Sequence, residues 1–339
     1  NDLDVGLGRV VFSNPIHLMA GPHIEFAAMV YTVTQEKQKH WSPGLSGNLQ
    51  CMAAVGVFAF GFPAAEKLLE TWGIISLIAI RNGLALVLLL GLLARAQGMN
   101  NLLRLPWMQG FWVGAIGFGI GSLLLLVTQY LTNAVTAALA AATMPVFAVV
   151  LEVILDKRQL TKRFLGAVAL VLAGGFVATN AELGNLRFGW GLLLGLLATS
   201  FFAWGSRATV KHFPNLTPLA RTTVTTGGMF GFCAITFCGA LVFKMPATHV
   251  PAPEAFDIVL LLIYAWGALA ISQLLWIKGV GQIGIAVASF HLNATPFYVM
   301  LILLMFGNDW NWVQAAGAFI LALGVIIAQS NQATDRSLS

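Results

Sequence analysis

Residues 133–156, with the sequence NAVTAALAAATMPVFAVVLEVILD, form a long apolar stretch rich in small side chains, and a single proline, Pro145, interrupts it. A similar stretch at residues 285–307, IAVASFHLNATPFYVMLILLMFG, carries Pro296 at the corresponding position, 151 residues further along the chain. Each stretch is long enough to cross a bilayer as a helix. Two proline-interrupted apolar helices at matching positions are typical of a duplicated membrane transporter whose copies meet at its centre.

The composition excludes a soluble globular protein. Of the 339 residues, 58% are hydrophobic and 9% are charged, and the mean hydropathy is +0.83. Soluble domains usually carry about 25% charged residues. The apolar runs do not alternate with period two, as the strands of a membrane β-barrel would. We therefore predict an all-α polytopic membrane protein that lies in a lipid bilayer. The net charge of +5 arises mainly in short loops and does not indicate nucleic-acid binding.

Ten apolar spans, numbered 1 to 10 below, follow one another with short connections. They lie at about residues 48–69, 72–94, 106–130, 133–156, 162–180, 188–212, 217–242, 255–279, 283–306 and 311–330. Basic residues concentrate in the loops of one side, which predicts that both termini are cytoplasmic. Because five is an odd number, a second unit of five spans enters the membrane from the opposite side, as an inverted-topology repeat.

Four segments make up the predicted domain organisation. They are an N-terminal extension at 1–46, a first five-helix repeat at 47–181, a second at 182–331 and a cytoplasmic tail at 332–339. The extension contains His17, His23 and Glu25, which a lipid-facing helix would accommodate only at a high free-energy cost. We expect it to be cytoplasmic or an appended, non-native sequence.

Short motifs recur in the same order in both halves. The pattern FGxxAxxK begins at Phe60 in span 1, and WGxxAxxK begins at Trp204 in span 6. The pattern SxxL begins at Ser122 in span 3 and again at Ser272 in span 8. One such match between apolar segments would be weak, but several at similar offsets favour an internal duplication.

These residues resemble the EamA-type drug/metabolite transporter superfamily. The resemblance rests on the aromatic-Gly pairs at Phe60 and Trp204, on Arg81 early in span 2, and on AAxxAAxxPxF at residues 137–147 of span 4. Among relatives with two such units, the chain is most similar to the YddG-type bacterial amino-acid exporters. The resemblance implies a fold of two inverted five-helix repeats and the export of amino acids or similar small metabolites across a bacterial inner membrane.

Spans 4 and 9 supply the first set of candidate substrate-binding residues: Thr143, Pro145, His291, Asn293, Thr295 and Pro296. A proline inside a helix frees backbone carbonyl groups, which a membrane tolerates only against protein or a water-filled cavity. Asn293 is a candidate ligand for a carboxylate or an amine. His291 either couples proton movement to transport or is a neutral side chain hydrogen-bonded between helices, and the sequence leaves both open.

Other spans supply polar and aromatic candidates. They are Ser122 and Gln129 in span 3, Gln273 and Trp266 together with Ser272 and Trp276 in span 8, Trp204 in span 6 and Phe60 in span 1. Aromatic side chains suit the wall of a cavity for an apolar substrate. Any one of them could instead face lipid or the membrane interface.

Two basic residues, Arg81 and Lys67, are candidate charge contacts for a substrate. Lys67 lies near the predicted outer end of span 1 and could attract a carboxylate. For Arg81 a structural ion pair with Glu66 or Glu70 is favoured over a substrate contact, since a charge within the bilayer usually has a partner.

No pattern in the chain indicates catalysis. The phosphate-binding loop of an ATP-driven pump is missing, and the three cysteines lack zinc-site spacing. We therefore expect a transporter rather than an enzyme, with no cofactor and no metal, that binds a small molecule and works by alternating access. A drug, nucleobase or sugar-phosphate transporter of the same superfamily is the alternative, and a channel or membrane enzyme is less favoured. Homo-oligomerisation is left open.

Overall fold

A computed structural model describes residues 43–336, apart from 158–165, 167, 172, 175–176, 178–185 and 253. Within this part of the chain every regular element is a helix. Pro43–Ser339 form one compact unit. The predicted extension up to residue 42 and most of predicted span 5 lie outside the described residues.

Eight of the described helices are long and apolar enough to cross a membrane. They are span 1 (Pro43–Leu68), span 2 (Ile74–Gln97), span 3 (Trp107–Leu131), span 4 (Ala134–Leu155), span 6 (Gly189–His212), span 7 (Pro218–Val242), span 8 (Ala255–Ile283) and span 9 (Ile285–Met305). At the predicted place of span 10 lies the helix Trp312–Arg336, of which the fully described part, Trp312–Gly324, is apolar. The polytopic membrane fold is confirmed, whereas the count of ten stays a prediction.

Three spans are interrupted rather than continuous. Span 1 consists of Pro43–Ala59 and Gly61–Leu68, span 4 of Ala134–Ala142 and Met144–Asp156, and span 9 of Ile285–Ser289, a 3-10 turn Phe290–Ala294 and Thr295–Met305. In the last two cases Pro145 and Pro296 each occupy the second position of the new helix. A proline fits there because the first N–H groups of a helix have no intrahelical partner.

Spans 3 and 8 each contain a stretch of wider π-helical turns. These stretches are Gly114–Ile120 in span 3 and Ile263–Ile271 in span 8. The stretch in span 3 ends two residues before Ser122, and the stretch in span 8 ends directly before Ser272. Both serines begin the repeated SxxL pattern. Such turns are rare and usually short, and they are frequent at functional sites.

Span 4 lies at the centre of the described bundle, because every residue from Ala134 to Ala142 is buried. The helix begins with a cap, in which the side-chain oxygen of Asn133 accepts a hydrogen bond from the Thr136 backbone N–H at 2.8 Å. Alanine is small enough to let neighbouring helices approach closely, which is the usual device for helix packing in a membrane. The stretch that dominates the sequence is therefore also the centre of the fold.

Glycines bring span 3 against spans 6 and 7. A Cβ atom added to Gly117 would lie 2.4 Å from the Gly205 Cα of span 6, and one added to Gly114 would lie 1.9 Å from the Thr225 carbonyl oxygen of span 7. No other residue fits at contacts this close. Span 1 packs in the same way on span 8, where a Cβ on Gly279 would meet the Cys51 Sγ at 2.4 Å. These contacts fix the walls of the space between the spans.

Candidate functional site

A cavity lies between spans 1, 2, 3, 4, 6, 7, 8 and 9, with about 930 Å³ of empty space when its open mouth is included. Six aromatic side chains form much of its wall: Phe58, Phe62, Phe118, Phe202, Tyr264 and Trp276. Aliphatic residues fill most of the rest, and a few polar groups stand among them. A largely apolar cavity with a small number of polar groups is typical of small-molecule sites in proteins.

Arg81 contributes the charge of this cavity. It is 5% exposed, and its guanidinium carbon lies 4.2 Å from the centroid of the Tyr264 ring. Its Nε donates a long hydrogen bond of 3.5 Å to the Tyr264 carbonyl oxygen. Stacking of a guanidinium on an aromatic face is favourable, and more so when water is excluded. No Asp, Glu or Lys lies among the described residues that line the cavity.

The ion pair expected between Arg81 and Glu66 or Glu70 is not formed. A Glu66 carboxylate oxygen instead accepts a hydrogen bond from the backbone N–H of Ala134 at 3.2 Å, and Glu70 pairs with Lys67 at 2.6 Å. The start of span 4 attracts Glu66 because the first N–H groups of a helix are unpaired and carry a partial positive charge. In the described part of the chain, Arg81 therefore has no carboxylate at salt-bridge distance.

Two polar candidates of span 3 lie on the cavity wall. Gln129 donates from its amide nitrogen to the Phe62 carbonyl oxygen at 2.6 Å, which ties span 3 to the short second helix of span 1. Ser122 donates its hydroxyl to the Gly119 carbonyl oxygen at 3.1 Å. The single hydroxyl donor of Ser122 is thus engaged, whereas Gln129 keeps its second amide N–H and its side-chain oxygen for further bonding.

Span 8 places three polar groups on the same wall. Ser272 donates to the Ala268 carbonyl oxygen at 2.6 Å, and the indole N–H of Trp276 donates to the Ser206 hydroxyl at 3.0 Å. Gln273 differs from both, because its amide nitrogen is buried and has no hydrogen-bond partner among the described residues. A buried donor without a partner is costly, so this amide is a candidate contact for a bound molecule.

The polar cluster of span 9 lies beside a separate crevice. His291 and Asn293 line it together with Met52 and Tyr298. The Nδ1 of His291 is 3.1 Å from the Ala288 carbonyl oxygen, while the side-chain oxygen of Asn293 is buried without a described partner. These two candidates are therefore not brought together with the polar groups of the central cavity.

The other candidates of spans 4 and 9 are buried between helices, outside both cavity walls. Thr143, which lies two residues before Pro145, donates its hydroxyl to the Ala140 carbonyl oxygen at 2.6 Å. Thr295 is fully buried, its hydroxyl has no partner among the described residues, and Pro296 follows it. Thr143 and Pro145 thus lie at the break in span 4, and Thr295 and Pro296 lie at the break in span 9.

Four further candidates lie away from the cavity. Phe60 is 48% exposed, and Trp266 is 39% exposed. The indole N–H of Trp266 donates to the Leu84 carbonyl oxygen at 3.2 Å. Trp204 packs beside Gly117, behind the cavity wall. Lys67 is exposed and paired with Glu70. Most of the aromatic wall was missed by sequence reasoning, because apolar rings that face a cavity and rings that face lipid look alike in a sequence.

Comparison with known proteins finds a family to which part of the chain is similar. Residues 45–180 match the EamA-like transporter family. No curated protein matches the chain significantly. One solved crystal structure of a protein is similar, with a TM-score of 0.63 at 18% sequence identity, and the alignment covers 84% of this chain and 97% of that chain. At that identity the likeness shows the fold alone. The chain is thus a multi-pass membrane protein with an EamA-like domain in its first half.

Proposed function

We propose that this protein, whose residues 45–180 match the EamA-like transporter family, exports amino acids or similar small metabolites across a bacterial inner membrane. The observation that carries the proposal is the cavity between spans of both halves, which is mainly apolar and aromatic and has few polar groups. Such a cavity suits a small molecule with a variable apolar side chain and one polar end.

Alternating access around this cavity is the mechanism we propose, with two inverted five-helix repeats as its framework. Supporting features are the π-helical stretches of spans 3 and 8 and the proline-marked interruptions of spans 4 and 9, because they occupy matching places in the two halves. Transporters of this kind rock one helical group against another around a fixed site near the bilayer midplane. Spans 1 and 6 are the proposed moving walls.

The direction and the location of transport rest on other arguments. Basic residues in the loops of one side support cytoplasmic N and C termini and hence an orientation in the membrane. The proposed direction, export, and the proposed location in the inner membrane rest on the resemblance to bacterial amino-acid exporters. The substrate class is supported by the cavity and by that resemblance together.

Flux in proteoliposomes tests the proposal. Purified protein would be reconstituted into vesicles loaded with unlabelled leucine or phenylalanine, and accumulation of the same labelled amino acid from outside would be followed as counterflow. We expect accumulation that is absent from protein-free vesicles and that competing amino acids reduce. If a nucleobase or a sugar phosphate showed counterflow and no amino acid did, the proposed substrate class would be wrong. A conductance that persists without any saturable exchange would point to a channel instead.

A further inference from the structure

The guanidinium of Arg81 has more N–H donors than its contacts with the described residues use. An arginine carries five N–H donors, and the Nε contact to Tyr264 uses one of them. The two terminal nitrogens donate to no residue in the described part of the chain, although the side chain is only 5% exposed and lines the cavity. A charged group buried without a counter-ion is strongly unfavourable in a membrane protein unless a partner arrives.

The surroundings of Arg81 fix its position. The centroid of the Tyr264 ring lies 4.2 Å from the guanidinium carbon, so the guanidinium is held against span 8. Arginine side chains usually lose considerable rotamer entropy when they bind a ligand. Here much of that loss has already occurred on folding, through the contact with Tyr264. The planar fork is thus preorganised for a planar anion such as a carboxylate, which it can bind through two parallel hydrogen bonds.

The rest of the wall favours an anion and does not favour a cation. No Asp or Glu stands among the described lining residues, so an ammonium group would meet no opposite charge, only neutral oxygen atoms and aromatic rings, and would be repelled by Arg81. A second donor without a partner, the amide nitrogen of Gln273, belongs to the same wall. Phe62 and Tyr264, which also line the cavity, provide apolar surface for the body of a substrate.

We infer that the cavity recognises its substrate by a carboxylate bound to Arg81 and has no charged partner for an ammonium group. This inference rests on the proposed function and narrows its substrate class to carboxylates with an apolar or aromatic body. Deaminated acids should therefore bind at least as tightly as the corresponding amino acids. Neutral amides of the same shape should bind more weakly, because they offer no charge-assisted hydrogen bond to the guanidinium.

Three ligands that share one aromatic body test this on the wild-type protein. Dissociation constants would be measured by calorimetry in detergent for 3-phenylpropanoate, L-phenylalanine and 3-phenylpropanamide. We expect 3-phenylpropanoate to bind at least as tightly as L-phenylalanine, and the amide to bind roughly 10- to 150-fold more weakly than 3-phenylpropanoate. Equal binding of the amide and the acid would overturn the inference. Tighter binding of L-phenylalanine than of 3-phenylpropanoate would overturn it as well.

Variants of span 2 test the residue. Arg81→Gln should lose the preference for 3-phenylpropanoate over the amide, and Arg81→Lys should keep only part of it because lysine lacks the planar fork. Arg95→Gln, at an exposed position of the same helix, is the matched control and should bind like the wild type. A monodisperse profile in size-exclusion chromatography would show that each variant folds, and the wild-type ligand comparison stands even if Arg81→Gln does not fold.

The two failures are distinguishable. If wild-type vesicles exchange amino acids but Arg81→Gln, correctly folded, binds and exchanges them equally well, the inference fails and the proposed function stands. If the wild type neither binds nor exchanges any of the three ligands or other amino acids, both fail.

Discussion

The guanidinium carbon of Arg81 lies 4.2 Å from the centroid of the Tyr264 ring and joins span 2 to the π-helical stretch of span 8. The two residues are 183 positions apart in the sequence. They belong to different predicted repeats, so the contact connects the two halves of the chain at the cavity wall. The charge of the site therefore depends on a ring that the opposite half provides.

Replacing Tyr264 should change the affinity for carboxylates. Tyr264→Leu removes the ring that holds the guanidinium, and a cation–π contact of this kind contributes about 0.5–2 kcal/mol. We expect a roughly 2- to 30-fold weaker binding of 3-phenylpropanoate by calorimetry. Tyr264→Phe, which keeps the ring, should stay close to wild type. An unchanged affinity in Tyr264→Leu would show that the ring does not position Arg81.

Filling the cavity should stop transport without unfolding the protein. Ala54 of span 1 lines the cavity, whereas its neighbour Ala53 is exposed on the surface of the helix. We expect Ala54→Phe to reduce counterflow at least about tenfold, because the added ring occupies the space a substrate needs. Ala53→Phe, the same change on the outer surface, should leave counterflow near the wild-type rate. Equal rates in both variants would argue that substrate does not pass through this cavity.

The contact between spans 3 and 6 should tolerate no added side chain. A Cβ on Gly117 would lie 2.4 Å from the Gly205 Cα, so Gly117→Ala must push two backbones apart. Overpacking of this kind costs about 1–3 kcal/mol of folding free energy, and we expect a lower temperature of thermal unfolding in detergent. The control is Gly91→Ala in span 2, where nothing lies within 4 Å of the added atom. It should unfold at the wild-type temperature or slightly above, since alanine favours the helix.

Cysteine labelling tests the orientation of the protein in the membrane. Arg104 and Asn308 are both exposed at ends of spans, and the loop charges predict that they lie on opposite sides. With the three native cysteines replaced by alanine, Asn308→Cys should react with a membrane-impermeant maleimide in intact cells. Arg104→Cys should react only after the membrane has been permeabilised. The reverse pattern would place the N terminus outside and contradict the proposed direction of export.

The spans could be predicted well because their signal is local. Length and hydropathy located the eight helices that the structure describes as able to cross a membrane, and the two prolines located the breaks in spans 4 and 9. The break at Phe60 and the π-helical stretches were not predicted. They depend on which neighbour a helix packs against, and a single segment of sequence does not carry that information.

The cavity could be predicted only in part, for a related reason. A polar side chain inside an apolar span is conspicuous, and Ser122, Gln129 and Gln273 line the cavity together with Arg81. Aromatic side chains are not conspicuous there, since an apolar ring is equally at home against lipid or against a substrate. The expected partner of Arg81 was misjudged because Glu66 serves the unpaired N–H groups at the start of span 4.

The wider turns in the middle of span 3 decide which neighbour each glycine meets. In a regular α-helix, Gly110, Gly114, Gly117 and Gly121 would form one stripe facing a single partner. The first two instead lie against span 7 and the last two against span 6, and the change of partner falls within the π-helical stretch Gly114–Ile120. If those turns had α-helical geometry, one pair of glycines would rotate away from the span that it contacts. The wider turns of span 3 thus let one helix pack its glycines against spans 6 and 7 at the same time.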